Sequence, residues 1–281
     1  SRGLGDVYKR QAALEEHVIG IDDTIECTGR YEEIDTPIKC WIYPGRHGPL
    51  NMVGGLLNSC NFFFADLGHR LSMDAEGNYV PSLGLDKLHK YAAMFGLDHK
   101  SGVEIDELEP QISDIDPERS AMGQGNHAYT NVQLSRYVAA IASRGNVFEL
   151  SLLDKITDSE GNLIKDYTPE ISSHIDAADS TWDTVQQGMR EVIASGTAKK
   201  LFADLEVPIA GKTGTAQEAK NKPNHAFFIS YAPYNNPEIC VTVNIPYGYS
   251  ASNAANIAKS VYQYYYGEID LESILNAGAR D

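Results

Sequence analysis

Lys212-Thr213-Gly214-Thr215 sets a cation, two hydroxyls and a residue without a side chain on consecutive positions. On a strand, Lys212 and Gly214 project to one face and Thr213 and Thr215 to the other. At a sheet edge such a segment offers a charge for a carboxylate and hydroxyls to bind it. It also offers a flat place for substrate and backbone N–H groups for a developing oxyanion. Taken alone, the tripeptide fits a glycine-containing turn beside a surface lysine better. A second polar triplet, Ser59-Cys60-Asn61, stands far upstream. Alone it says little, because Ser and Asn are ordinary helix caps.

Several competing chemistries can be set aside. A phosphate loop needs glycine where this chain has Glu206, and a carboxylate there would repel the phosphates. The eight histidines form no H-E-x-x-H pair, and the four cysteines (Cys27, Cys40, Cys60, Cys240) form no C-x-x-C pair, which argues against a metal. His47 reads as a hydrogen-bonded loop histidine. Cys27 and Cys40 are close enough to be bridged, or are two unlinked small apolar residues. Cys60 has no neighbouring base in sequence to activate it as a nucleophile. Two similar segments, Asp74 to Val80 and Asp158 to Ile164, carry too few oxygen ligands for calcium and read as Gly-Asn hairpin turns. No cofactor is implied. The net charge of −16 argues against nucleic acid and against adhesion to anionic lipid.

The elements that would position the two triplets follow from periodicity. Residues 56–71 read as one helix with Ser59-Cys60-Asn61 near its start, and 85–95 as a second, stopped by Gly96. Residues 98–119 are acidic and irregular. Residues 130–143 carry an apolar stripe of Val132, Leu134, Val138 and Ile141, and 181–194 form a helix capped by Ser180. Three strand-like runs, 207–217, 225–231 and 238–245, are separated by turns rich in Pro and Asn, which fits an antiparallel meander. A last helix over 251–266, with Tyr262 and Tyr264 to Tyr266 packing onto the sheet, would cover one face. The order predicts an α/β fold of the α+β type: an antiparallel β-sheet flanked by helices, with a mostly helical subdomain upstream.

Further segments stand in the same order: Gly123-Gln124-Gly125 leading into a helix through Thr130, Gln133 and Leu134, and Asn224-His225-Ala226-Phe227-Phe228 running on to Tyr231-Ala232-Pro233. Together with Ser59-Cys60-Asn61 and Lys212-Thr213-Gly214-Thr215, they resemble the transpeptidase domain of class B penicillin-binding proteins. The resemblance spans residues 12–266, with the helical part at about 50–145 and the sheet part at about 147–266 of a domain over 12–268. Residues 269–281 are a tail. The resemblance implies a peptidoglycan D,D-transpeptidase that cross-links stem peptides through a serine acyl-enzyme and binds β-lactams. It implies that Ser59 relays a proton to the leaving amine and that Asn61 holds the substrate amide. Lys212 would polarise Ser59, while Thr213 and Thr215 bind the carboxylate, with Gly214 and Cys60 lining the substrate. Partners would include a membrane glycosyltransferase, on the extracytoplasmic side of the membrane.

One element of the family pattern is missing. Its nucleophile belongs to Ser-x-x-Lys, roughly ten residues before Ala12, yet no serine in this chain has lysine three positions later. Residues 1–11 lack helical or strand periodicity, resemble translated sequencing-adapter reads and are expected to be foreign to the domain, leaving a truncated copy without activity. The rivals are a serine β-lactamase, for which no E-x-x-L-N deacylation motif is found, and a β-lactam-sensing module without turnover.

Overall fold

The three strand-like runs do form one antiparallel sheet. In the computed structural model, which describes residues 6–216 and 221–277, the chain begins with α1 (Asp6–Glu15), β1 (Ile25–Cys27), β2 (Arg30–Tyr31), β3 (Ile38–Lys39) and β4 (Gly48–Leu50). A helical region follows: α2 (Met52–Leu57), α3 (Asn61–Leu71), α4 (Pro81–Met94), α5 (Pro117–Ala121) and α6 (Asn131–Ala142). Then come β5 (Asn146–Glu149), β6 (Lys155–Thr157), β7 (Leu163–Asp166), β8 (Glu170–His174), α7 (Asp179–Ala194), β9 (Ala210–Ala216), β10 (His225–Ala232), β11 (Ile239–Ile245), α8 (Ala251–Tyr265) and α9 (Leu271–Ala277).

The main sheet has the order β11-β10-β9, so β9 is an edge strand. The pleat of β10 sorts its side chains between two cores. Ala226, Phe228 and Ala232 join Ala254, Ala255, Ala258 and Tyr262 of α8 on one face, where the small alanines let the helix approach closely. Ile229 and Tyr231 join the helical core on the other face. Tyr262 donates to Ser230 Oγ at 2.8 Å, and Ser230 donates to the Val241 carbonyl, which satisfies both buried hydroxyls. Tyr264 and Tyr265 are half exposed instead of packed. The register sets Lys212 opposite Ile229, facing the helical core, and Thr213 opposite Phe228 on the α8 face.

α6 starts at a capping box: Thr130 Oγ1 accepts from the Gln133 N–H, and Gln133 Oε1 accepts from the Thr130 N–H. Of the expected stripe Leu134, Val138 and Ile141 are buried, joined by Tyr137, while Val132 is only partly buried. Asn131 adds a tie to the sheet, Nδ2 donating to the Thr242 carbonyl. Both Gly-Asn segments are turns. Asp74 accepts from the N–H groups of Glu76 and Asn78, and Asp158 does the same for Glu160 and Asn162 between β6 and β7.

Four expectations are corrected. The single helix over 56–71 is two, because Asn58 ends α2 and Ser59 turns the chain through a left-handed φ of 46° before Cys60 caps α3. α7 begins at Asp179 with Ala178 at its cap position, so Ser180 lies inside the helix. Residues 269–281 are not all tail, since α9 occupies Leu271–Ala277. Finally, Asp6 to Gln11, read as lacking helical periodicity, lie within α1. α1 carries residues 7–11 into the core with Ala12 and Ala13.

That burial is chemically costly. Lys9, Arg10 and Gln11 are 1%, 0% and 1% exposed, where charged and amide side chains almost never lie. Arg10 donates to the Thr184 carbonyl at 3.2 Å. Both amide atoms of Gln11 lie buried without a hydrogen-bond partner. Replacing Gln11 by Leu keeps the approximate volume and removes the unmet desolvation, so Gln11→Leu is expected to stabilise the fold by about 1–3 kcal/mol. Urea unfolding should show a higher midpoint. A lower one would mean the amide is satisfied in solution.

Candidate functional site

Ser59 and Lys212, 153 positions apart, meet where the α2–α3 junction abuts β9: Lys212 Nζ donates to Ser59 Oγ at 2.6 Å. The ammonium also donates to the Thr213 carbonyl at 3.0 Å, and its side chain is fully buried. An ammonium only donates, so the Ser59 hydroxyl accepts here and its own proton is free to point elsewhere. The left-handed backbone at Ser59 aims this hydroxyl at the lysine, and such conformations for non-glycine residues concentrate at functional positions.

The remaining predicted residues are distributed around this pair. Gly214 shares the Lys212 face, opposite Phe227. Thr213 and Thr215 lie on the other face, partly exposed, with Thr213 Oγ1 at 3.3 Å from Thr197 Oγ1. Because β9 is an edge, a ligand lying along it can touch groups from both faces, and alternate backbone N–H groups of an edge strand are unused by the ladder. Asn61 opens α3 with Nδ2 donating to the Lys39 carbonyl at 3.1 Å. Cys60 is fully buried, and its Sγ accepts from the Phe63 N–H. Gln217 lies outside the described residues.

A cleft of about 550 Å³ opens beside the end of β9, lined among others by Gln124, His127, Tyr129, Ala216, His225 and Phe227. Ser59 and Lys212 are not part of its lining. His127 had no role in the sequence reading. Its Nδ1 accepts from the Ser113 N–H at 3.0 Å, and its Nε2 lies 3.3 Å from the Ser120 carbonyl, which fixes the tautomer with the proton on Nε2. Burial, reinforced by the nearby Lys9 cation, holds this imidazole well below its usual range, so it stays neutral.

The sequence reading also missed what gathers behind Ser59. Cys27 at the end of β1, Cys40 after β3, His47 before β4 and Cys60 at the cap of α3 converge, with one donor atom from each lying within 4.8 Å of the others. Cys27 Sγ and Cys40 Sγ lie 3.5 and 3.6 Å from His47 Nδ1, and Cys40 Sγ lies 3.8 Å from Cys60 Sγ. All four cysteines are thiols, so Cys27 and Cys40 are not bridged. The hydrogen bond from Cys60 pulls the Cys40 thiol below its ordinary value against the opposing effect of its own burial, and pushes the Cys60 thiol up. His47 thus sits with three cysteines in a set that could hold a metal ion, a grouping the sequence did not announce. Spacings of 13, 7 and 13 residues carry no C-x-x-C signature, and the pairing of β1 with β4 brings Cys27 beside His47.

The comparisons with known proteins give the family and the fold. Residues 8–263 match the penicillin binding protein transpeptidase domain. Peptidoglycan D,D-transpeptidase MrdA of Haemophilus influenzae is 30% identical over 225 residues, covering 66% of this chain and 34% of that protein. Penicillin-binding protein 2A of Bacillus subtilis is 28% identical over 233 residues, covering 72% of this chain and 31% of that protein. The chain thus spans about a third of the length of these curated relatives. Among solved structures, Pseudomonas aeruginosa PBP2 in complex with WCK 5153 superposes with a TM-score of 0.79 at 27% identity, covering 94% of this chain and 60% of that one.

Proposed function

The chain belongs to the penicillin-binding protein transpeptidase family, and from that premise we propose that it derives from a peptidoglycan D,D-transpeptidase whose substrate site is built on Ser59, Asn61, Lys212, Thr213, Gly214 and Thr215. The observation that supports this most is the 2.6 Å bond between Lys212 and Ser59, which joins the two motifs into one polar centre at a sheet edge. In this reading a stem peptide ending in D-alanine, or the β-lactam that mimics it, lies along β9. Lys212 and the hydroxyls of Thr213 and Thr215 draw its carboxylate. The Asn61 amide holds the peptide amide, and the Thr215 N–H stabilises the oxyanion. Ser59, accepting from Lys212, directs its own proton to the leaving amine.

The nucleophile is the component this reading does not find in the 281 residues. Three successive buried polar side chains, Lys9, Arg10 and Gln11, support the proposal that residues 1–11 are foreign to the domain. As given, the chain binds without acylating. Among the described residues no helix is long and apolar enough to cross a membrane. In this reading the parent protein works on the outer side of the membrane, beside a lipid-linked glycan polymerase.

A chimera tests the reading. Exchanging residues 1–11 for the aligned segment of the Haemophilus influenzae relative, extended to include its Ser-x-x-Lys, should produce a penicillin-labelled band absent from the parent chain. A folded chimera that remains unlabelled would overturn the proposed site.

A further inference from the structure

We propose that the paired strands between α6 and α7 form a docking surface for an extended segment of a partner protein, one in which lysine or arginine alternates with branched apolar residues.

Two features of this surface carry the proposal, and the first is what it leaves uncovered. Every residue of β6, β7 and β8 is exposed. Leu163, Ile164 and Ile171 are 60%, 65% and 54% exposed, and Leu152, in the loop before β6, is 59% exposed. Two-stranded pairs without a covering layer are marginal in water, and apolar side chains gathered on one surface mark an interaction site. Among the described residues β5–β8 and β6–β7 are sheets of two strands only, so each strand keeps one edge outside its ladder. An extended chain pairs with such an edge through its backbone, which a helix cannot do. A groove of about 820 Å³ accompanies these strands, lined among others by Glu104, Phe148, Glu149, Leu153, Asp166 and Glu170.

The second is charge. Five carboxylates line the groove, those of Glu104, Glu149, Asp154, Asp166 and Glu170, against the single ammonium of Lys165. The whole chain has 39 acidic residues to 23 basic ones, so the groove is far more acidic than the rest. Lys165 stands over the Tyr167 ring, 4.1 Å from its centroid. Glu149 and Glu170 are direct partners across the β5–β8 ladder. Like charges placed opposite one another destabilise a strand pair, and a cation from outside relieves that repulsion. The preceding pair in the ladder, Phe148 and Ile171, points to the opposite face. A strand laid alongside therefore meets carboxylates on one face and apolar side chains on the other. That arrangement selects alternating cationic and branched apolar residues, while the same carboxylates repel an anionic lipid surface. Neither Ser59 nor Lys212 lines the groove, so this inference stands independently of the substrate site proposed above.

The experiment is fluorescence anisotropy of the whole chain with a labelled synthetic peptide of about ten residues in which lysine alternates with valine. We expect saturable binding that weakens as salt rises. A peptide of the same composition with its lysines gathered at one end should bind at least about tenfold more weakly, because it cannot present one face of charge and one of apolar groups. The double variant Glu149→Lys, Glu170→Lys should also lose at least about tenfold in affinity. The charge-matched double variant Asp22→Lys, Glu268→Lys, at exposed positions outside the groove, should leave affinity unchanged. No binding of the alternating peptide would overturn the proposal, as would equal affinity for the two peptides or equal loss in the two double variants. A dimer of the unliganded chain that the groove variant abolishes would give the surface to a second copy and overturn it too. Should the groove variant fail to fold, the two peptides compared on the unaltered chain still decide. Penicillin binding is not the readout, so failure here leaves the transpeptidase reading untouched.

Discussion

Incubated with a fluorescent penicillin and run on a denaturing gel, the chain is expected to show no covalent band. A serine acyl-enzyme needs a hydroxyl with a base within hydrogen-bond reach to remove its proton. Ser59 has a lysine at 2.6 Å, but the lysine donates to it, and a donating ammonium is not a base. No serine, Ser59 included, is followed three residues later by lysine. Loss of a serine nucleophile costs an acyl-transfer site about 10⁶ in rate, which takes labelling from minutes to beyond any practical incubation. A band that disappears in Ser59→Ala would sink this argument and make Ser59 the nucleophile, with a deprotonated Lys212 as its base. A band that survives Ser59→Ala and disappears with another serine would place the site elsewhere.

What was legible in the sequence, and what was not, follows from the range of each signal. The meander of β9, β10 and β11 was readable because its residues alternate between two buried faces and its turns are marked by Pro and Asn. The α6 start was readable because Thr130 and Gln133 form a capping box within four residues. β8 was missed because all five of its residues are exposed and carry no alternation. The break at Ser59 was missed because the apolar residues around it, Leu56, Leu57 and Phe62, keep helical spacing across the turn, and Ser rarely adopts a positive φ. The first half of α1 was missed because Lys9, Arg10 and Gln11 look like surface residues, although the structure buries them. The Lys212–Ser59 contact came from the family pattern, since no local rule joins residues so far apart. The thiol–imidazole cluster had no such pattern to announce it. It depends on Cys27 standing opposite Gly48 in the β1–β4 pair, which brings His47 alongside.

Lys212→Met should separate binding from folding. The substitution keeps an unbranched side chain of similar reach and removes the charge from a fully buried position. Burying an ammonium costs several kcal/mol that its hydrogen bonds recover only in part, so an apolar replacement of similar shape is often neutral or stabilising. Thermal or urea unfolding should therefore show no loss. Binding should respond oppositely. In the proposed site Lys212 is the cation nearest the substrate carboxylate and the group that orients Ser59. Truncating one partner of a buried charge-assisted contact costs about 2–5 kcal/mol, roughly 30-fold to several-thousand-fold in Kd. Calorimetric titration with a peptide ending in D-Ala-D-Ala, or with an intact β-lactam, reads this directly. Lys212→Arg should not restore binding, because the planar guanidinium cannot place one donor on Ser59 and another on the Thr213 carbonyl as the ammonium does. If Lys212→Met unfolds the chain while Lys212→Arg binds normally, the lysine is a structural strut and the carboxylate is held by other groups. Unchanged affinity in a folded Lys212→Met would remove this lysine from the site altogether.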